Sequence, residues 1–110
     1  GATDNIVNAP LSNLSGSREF QQAFVATILP ELRAFQPELI MVSAGFDAHA
    51  DDPLASLMLT DDDYRWVTTA LMEVANDVCN GRIVSMLEGG YDLAALSRCA
   101  GIHVETLMSN

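Results

Sequence analysis

Hydrophobic and polar residues recur along the chain in patterns that predict a series of helices and strands. The first helix is indicated by apolar side chains at three- and four-residue spacing, which share one helical face: Phe20, Phe24, Ile28, Leu32 and Phe35. Ser17 is a suitable amino-terminal cap. Pro30 should kink or divide the helix, and Gln36–Pro37 should end it. Before this helix, the segment NIVNAPL (residues 5–11) predicts a short strand or the end of one.

Two later segments predict buried strands. In ELIMVSAGF the apolar residues Leu39–Val42 are consecutive, which is typical of a strand covered by helices on both faces. The segment RIVSMLEGGY, beginning at Arg82, is a similar strand that runs into two glycines. A helix precedes RIVSMLEGGY and another follows it, so the predicted order is strand, helix, strand, helix, strand, helix. This order predicts an α/β fold with a parallel sheet and crossover helices.

The ends of these two helices also have sequence signals. Thr60 followed by Asp63 resembles a capping box, and the carboxylates of Asp61–Asp63 suit the positive end of the helix dipole. We prefer this interpretation of the three aspartates to a metal site. Asn80–Gly81 predicts the carboxyl end, with glycine in the left-handed conformation. The final helix, DLAALSRCAGIHVETLM, should be weakened at Gly101.

Composition limits the classes of partner. The 110 residues include 15 acidic side chains against 5 arginines and no lysine, a net charge of −10. Nucleic-acid backbones and anionic membranes attract basic surfaces, so neither is an expected partner. A cationic substrate or a divalent metal is compatible with this charge, as is simple solubility. Cys79 and Cys99 form no disulfide or metal motif and indicate free, buried thiols in a reducing compartment. We expect a soluble, cytoplasmic protein.

Chemically active residue types cluster where the two apolar strands end. The first strand runs into SAGFDAHADDP, with Asp47 and His49, and the second into EGGYD, with Tyr91. Because parallel strands deliver their carboxyl ends to one edge, Asp47 and Tyr91 should face a common pocket. Asp47 and His49 alone are a weak metal signal, because zinc sites use three or four protein ligands. For His49 the preferred interpretation is a structural role or support of a neighbouring ligand residue, and for Asp51 and Asp52 it is turn capping.

These two motifs, at this separation, resemble the histone deacetylase family, including its bacterial amidohydrolase-like and acetylpolyamine-deacetylase members. The similarity extends over residues 5–107. It implies a three-layer, arginase-like α/β fold around a parallel sheet, of which this chain has only the last strands and helices. It also implies a zinc-dependent deacetylase that acts on acetyl-lysine or another acetylated amine.

The resemblance also assigns roles to individual residues. It makes Asp47 a ligand of Zn²⁺ and Tyr91 the catalytic donor to the oxygen that becomes anionic. Leu54 corresponds to a residue at the rim of the substrate tunnel. Gly89 and Gly90 precede Tyr91 in its motif, and we expect them to bind substrate because glycines let the backbone come close to a ligand or take a positive φ. The metal would polarise the acetamide carbonyl, and the Tyr91 hydroxyl would act mainly in the transition state.

No tandem histidine occurs in these 110 residues, and the one Asp-x-His, Asp47 with His49, lies in a different motif from the Asp-x-His pair that supplies zinc ligands in the family. We therefore interpret residues 1–110 as the C-terminal segment of a single deacetylase-like catalytic domain, inactive alone. The alternative is a catalytically incomplete piece that serves as an oligomerisation or interaction module. A dinucleotide-binding domain is disfavoured because no G-x-G-x-x-G follows the first strand, and a receiver domain because lysine is absent. Apolar strands without covering elements lead us to expect a homo-oligomer.

Overall fold

The computed structural model describes residues 6–45, 48–51, 57–90 and 92–109. These residues form, in chain order, helix α1 (Ser17–Ala23), a π-helical turn (Phe24–Ile28), helix α2 (Leu29–Phe35), strand β1 (Ile40–Ala44), helix α3 (Asp61–Cys79), strand β2 (Ile83–Leu87) and helix α4 (Leu93–Met108). The predicted order from β1 onward is confirmed. Among the described helices, none has the combination of length and apolar character needed to cross a bilayer.

The amino-terminal helix is divided close to Pro30, as predicted. Pro30 lies at the start of α2, where a residue without an N–H group is tolerated. The division itself takes the form of the wider π turn, in which the N–H of Leu29 reaches back to the carbonyl of Phe24. Gln36 ends α2 in the left-handed conformation, with φ of 54°. The predicted end of the helix is thus confirmed.

Two expectations for the amino-terminal region are wrong. Gly16, not Ser17, caps α1, and the N–H of Gly16 donates to the Glu19 carboxylate at 3.0 Å. The Ser17 hydroxyl instead donates to Asp63 Oδ2 at 2.6 Å and so links α1 to α3. Residues 6–11 form no strand, since no described strand pairs with them. An apolar segment becomes a strand only where a neighbouring backbone supplies its hydrogen bonds.

The two strands pair in parallel, with α3 as the crossover between them. The register runs from Ile40 opposite Ile83 to Ala44 opposite Leu87. Parallel strands need such a long connection, because the chain must return to the same end of the sheet. The carboxyl ends of β1 and β2 therefore lie at one edge, as the sequence predicts.

Helix α3 begins and ends where its local signals predict. Thr60 is the amino-terminal cap, and Asp63 closes a capping box by accepting from the Thr60 N–H at 2.9 Å. Asn80 and Gly81 follow the last turn with φ of 56° and 75°. The left-handed conformation thus begins at Asn80, one residue earlier than predicted, and asparagine tolerates it better than most side chains.

The Asp63 carboxylate is buried between α1 and α3. Besides the Thr60 backbone, it accepts hydrogen bonds from the hydroxyl groups of Ser17 and Thr60 and from the Gln21 amide, at distances of 2.6, 3.1 and 3.2 Å. Only 1% of the residue is exposed. Asp63 therefore does more than cap its own helix, because it also holds α1 against the start of α3.

We predict that Asp63→Ala lowers the free energy of unfolding by about 2–4 kcal/mol. The substitution removes a helix cap and leaves partly buried hydroxyl and N–H donors without their acceptor. Urea denaturation measures the change. Asp62→Ala is the matched control, since the exposed Asp62 carboxylate bonds to Arg65 in the same turn and should matter little. Equal stability of the two variants would contradict the structural role of Asp63.

The buried side chains form two clusters on the helix side of the sheet. One joins β1 to α3 and consists of Ile40, Val74, Ala75 and Cys79, with partly buried side chains from α2 and β2 around it. The other consists of Leu59, Tyr64 and Cys99 and lies towards the carboxyl edge of the strands, with Phe20 and Ala44 packed against it. Both cysteines are free and buried, as predicted.

The opposite face of the sheet is open, which corrects the expectation that β1 is covered on both faces. Met41 on β1 and its neighbour Val84 on β2 are 63% and 48% exposed, and Met86 is 50% exposed. Side chains of a strand alternate between faces, and the described helices pack on the other side. The continuous apolar run therefore has cover on one face only within the described residues.

Helix α4 continues through Gly101 without a break, contrary to the expected weakening. Asp92 is its amino-terminal cap and accepts from the N–H of Ala95 at 2.8 Å. Packing against α3 buries Ala95, Cys99 and His103 on one face of α4. This tertiary contact outweighs the small intrinsic penalty of one glycine.

Candidate active site

The ends of β1 and β2 are joined by hydrogen bonds. The N–H of Glu88 donates to the carbonyl of Ala44 at 2.8 Å, and the Ser43 hydroxyl donates to the Glu88 carboxylate at 2.8 Å. The chain then continues from β1 into Gly45 and from β2 into Gly89 and Gly90. The two motif segments thus leave the sheet side by side, in the position where α/β folds bind ligands.

Three of the site residues implied by the resemblance lie outside the described residues: Asp47, Leu54 and Tyr91. Their shared pocket therefore stays a prediction. Gly89 and Gly90 are described, and both are partly buried in the turn after β2. Gly90 has φ of 140°, a conformation that a side chain would strain. This agrees with the expectation that glycine is needed in this turn.

His49 is held by the backbone on one side and by a carboxylate on the other. The residue is 5% exposed, and its ring lies within 15° of parallel to the Tyr64 ring, with centroids 6.4 Å apart. Nδ1 accepts from the N–H of Asp51 at 3.0 Å, and Nε2 lies 2.6 Å from Asp61 Oδ1. Because Nδ1 accepts, the neutral ring carries its proton on Nε2 and donates it to Asp61. The structural role that we preferred for His49 agrees with these contacts.

Arg98, from α4, joins two acidic side chains that lie beside His49. Its Nε donates to Asp61 Oδ2 at 2.8 Å and its Nη2 to Asp51 Oδ2 at 3.2 Å. The hydrogen bond from Arg98 is the main cause that lowers the pKa of the Asp61 carboxyl, and the bond from His49 adds to it. Asp61 is thus an ionised acceptor. Sequence reasoning assigned Asp61 to the helix dipole and did not find this arrangement.

His49, Asp61 and Cys99 also form the described group that most resembles a metal site, since their ligand atoms lie within 4.8 Å of one another. Hydrogen bonding accounts for all three without an ion. His49 Nε2 and the Cys99 thiol, the latter at 3.6 Å, both donate to Asp61 Oδ1. Burial, together with the Asp61 charge, raises the pKa of the Cys99 thiol to about 12. Arg98 beside Asp61 further disfavours a cation here.

A cavity of about 190 Å³ lies beneath the same edge of the sheet, between β1 and helices α1 and α3. Its walls are mainly apolar and include Phe20, Val42, Ala44 and Leu59. Among the described residues, the lining includes no acidic or arginine side chain, and the imidazole of His103 is part of it. The described walls are therefore suited mainly to apolar packing.

His103 is the second buried histidine, and it links α4 to both α3 and β2. Its Nδ1 lies 2.9 Å from the Thr68 hydroxyl and its Nε2 lies 2.8 Å from the Ser85 hydroxyl. Thr68 donates its own proton to the Tyr64 carbonyl, so the Thr68 oxygen accepts from Nδ1 and Nε2 accepts from Ser85. The neutral ring is thus hydrogen bonded to both α3 and β2. Burial lowers the pKa of His103.

We predict that His103 makes the protein less stable as the pH falls below about 6.5. The unfolded chain takes up a proton near this ordinary histidine pKa, whereas the folded chain resists protonation down to its lowered value. Protonation therefore favours unfolding over this window. Urea denaturation between pH 7 and pH 5 should show a smaller loss of stability for His103→Gln than for the unchanged protein. Equal slopes would contradict the assignment.

The comparisons with known proteins agree on one family. The model of the histone deacetylase domain matches residues 1–107. The chain belongs to the histone deacetylase family. Type-2 histone deacetylase 1 of Dictyostelium discoideum is 48% identical over 103 residues, which are 94% of this chain and 7% of that protein. The histone deacetylase-like amidohydrolase of Pseudomonas aeruginosa is 39% identical over 101 residues, 92% of this chain and 27% of its own length.

Solved histone deacetylases share the fold. The crystal structure of the HDA15 HD domain superposes with a TM-score of 0.83 at 34% identity, and covers 94% of this chain and 28% of that one. The structure of the histone deacetylase Clr3 gives a TM-score of 0.79 at 30% identity and covers 91% of this chain and 16% of that one. The predicted arginase-like deacetylase fold is therefore confirmed. The chain spans less than a third of the length of each of these relatives.

Proposed function

We propose that residues 1–110 are the C-terminal segment of a deacetylase catalytic domain that removes an acetyl group from acetyl-lysine or another acetylated amine. Membership of the histone deacetylase family supports the reaction type. The single observation that supports the site is the parallel pairing of β1 and β2. This pairing brings the segments leading to residues 47 and 91 to the same edge.

Within this proposal, Asp47 is one protein ligand of Zn²⁺. A carboxylate suits this ion, but a catalytic zinc site uses about three protein ligands. His49 is poorly placed to supply a second, since both ring nitrogens are already engaged by Asp51 and Asp61. The remaining ligands would then come from parts of the domain beyond these 110 residues. We therefore expect the isolated chain to bind zinc weakly and to be inactive.

The other proposed site residues act on the substrate. Zinc, when bound, supplies a Lewis acid for the amide carbonyl. The Tyr91 hydroxyl donates a hydrogen bond to the carbonyl oxygen as negative charge develops there, which lowers the barrier more than it strengthens substrate binding. Gly89 and Gly90 let the backbone approach the acyl group closely, and Leu54 forms part of the tunnel rim that contacts the aliphatic part of the substrate.

The test compares the complete protein with the 110-residue chain. The complete protein should release acetate from an acetyl-lysine peptide or from an acetylated polyamine, and the preferred substrate would identify the substrate class. A chelator should remove the activity and Zn²⁺ should restore it. Calorimetric titration of the 110-residue chain with Zn²⁺ should show no tight site. Absence of acetate release from both substrates, or activity that resists chelation, would refute the proposal.

A second candidate is an interaction module that pairs with another copy of itself, and the open sheet face favours it. Met41 and Met86 lie on that face and are largely exposed. Sedimentation velocity of the chain should then show a homo-oligomer that Met41→Gln with Met86→Gln dissociates. Met108→Gln, exposed at the end of α4, is the control and should leave the oligomer intact. A monomer at all concentrations would exclude this candidate.

A further inference from the structure

The short segment that contains Asp47 has fixed structure on both sides. On one side β1 ends at Ala44, whose carbonyl accepts from the Glu88 N–H. On the other side, Leu59 pairs with the chain around His49, donating to the Ala48 carbonyl at 3.1 Å and accepting from the Ala50 N–H at 2.8 Å. Asp47 precedes His49 by only two residues in the sequence, so the second anchor is close to it along the chain.

Side chains reinforce the second of these anchors. His49 projects into the protein and donates to Asp61 in the first turn of α3. Arg98 then reaches from α4 to both Asp61 and Asp51. We call these four residues the loop clamp: His49, Asp51, Asp61 and Arg98. The clamp joins the loop after β1 to two helices, one of which, α4, begins two residues after Tyr91.

The charges and exposures of the loop clamp fit a role in orientation more than in overall stability. The side chains of Asp51, Asp61 and Arg98 are 60%, 32% and 45% exposed, and exposed ion pairs contribute little to the free energy of folding. Arg98 nevertheless binds two carboxylates at once with its planar group, which constrains their relative position. The buried His49 ring extends this constraint to the loop backbone.

We propose that His49, Asp61 and Arg98 are positioning residues, which hold the loop after β1 so that the Asp47 carboxylate is oriented for Zn²⁺. The inference rests on the proposed function, because it takes the metal role of Asp47 from there. Residues that orient metal ligands typically change metal affinity by about 10–100-fold when they are removed. The loop clamp is expected to act in this range.

Asp61→Asn is the decisive variant. Asp61 accepts from His49 on Oδ1 and from Arg98 on Oδ2, whereas asparagine has one acceptor oxygen and an NH₂ group that repels the second donor. In the complete, zinc-loaded deacetylase, Asp61→Asn should raise the zinc Kd, measured by chelator competition, about 10–100-fold. It should lower kcat at limiting zinc and leave the KM for the acetylated substrate nearly unchanged.

Asp62→Asn is the matched control. It makes the same charge change one residue later, at an exposed carboxylate that bonds to Arg65, and should leave the zinc Kd unchanged. If Asp61→Asn fails to fold, Arg98→Met is the alternative variant, because it removes the hydrogen bonds from α4 to Asp61 and Asp51. A purely structural role would lower the melting temperature without changing the zinc Kd of the folded protein, and that result would overturn the inference.

The outcome for Asp47 separates this inference from the proposed function. If Asp47→Ala abolishes zinc binding while Asp61→Asn and Arg98→Met bind zinc normally, only the loop clamp is refuted. If Asp47→Ala itself binds zinc normally, the metal role of Asp47 is refuted, and the positioning role is refuted with it.

Discussion

Asp47→Ala in the complete deacetylase should abolish zinc retention and, with it, acetate release. A carboxylate ligand contributes both a bond and negative charge to the cation. A catalytic site with about three protein ligands cannot retain zinc when one of them is removed. We expect the zinc Kd to rise by more than the roughly 100-fold limit typical of residues that only support a ligand. Chelator competition measures the Kd, and added Zn²⁺ should restore little activity.

Asp62→Ala is the control for this experiment. It removes a carboxylate that is exposed and paired only with Arg65 among the described contacts, so zinc affinity and activity should stay unchanged. If Asp47→Ala binds zinc with wild-type affinity, Asp47 is not a zinc ligand, and the role that the resemblance assigns to it is refuted.

Tyr91→Phe in the complete deacetylase should lower kcat by about 10²–10³-fold, the usual effect of losing one donor to a developing oxyanion. Substrate binding should change much less, because the hydrogen bond is strongest in the transition state. Steady-state kinetics with saturating zinc separate the two parameters. The zinc Kd should be unaffected, which distinguishes this variant from Asp47→Ala.

Tyr64→Phe is a suitable control, since it removes a phenol hydroxyl from the buried cluster of Leu59, Tyr64 and Cys99 and not from the proposed site. It is expected to alter stability rather than kcat. A Tyr91→Phe enzyme that turns over at a near-normal rate would refute the role given to Tyr91, whatever its effect on KM.

The parts of the fold that depend on nearby residues could be predicted from the sequence. Both ends of α3 carry their signals within a few positions, Thr60 with Asp63 at one end and Asn80–Gly81 at the other. The strands β1 and β2 follow from short apolar runs bounded by turn residues. Their parallel pairing follows from the helix between them. These features need no knowledge of distant contacts.

The parts that depend on distant residues could not be predicted. Ser17 bonds to a carboxylate 46 residues away, and Arg98 bonds to carboxylates 37 and 47 residues away. A pattern of apolar spacing contains no information on such polar pairs. The same limit explains why the loop clamp around His49 was missed, although a histidine followed by acids was a visible signal. The open face of β1 is another example, since a strand's sequence does not identify what covers it.

The π turn between α1 and α2 makes the length of this segment important to the fold. A regular α-helix advances about 100° per residue, and a π turn accommodates one residue more than an α turn. Phe20 on α1 packs against the cluster around Leu59, whereas Leu29 and Leu32 pack against the cluster around Ile40. Removal of one residue from Phe24–Ile28 would rotate one of these faces away from its cluster. In evolutionary terms, substitutions should be tolerated here more readily than insertions or deletions.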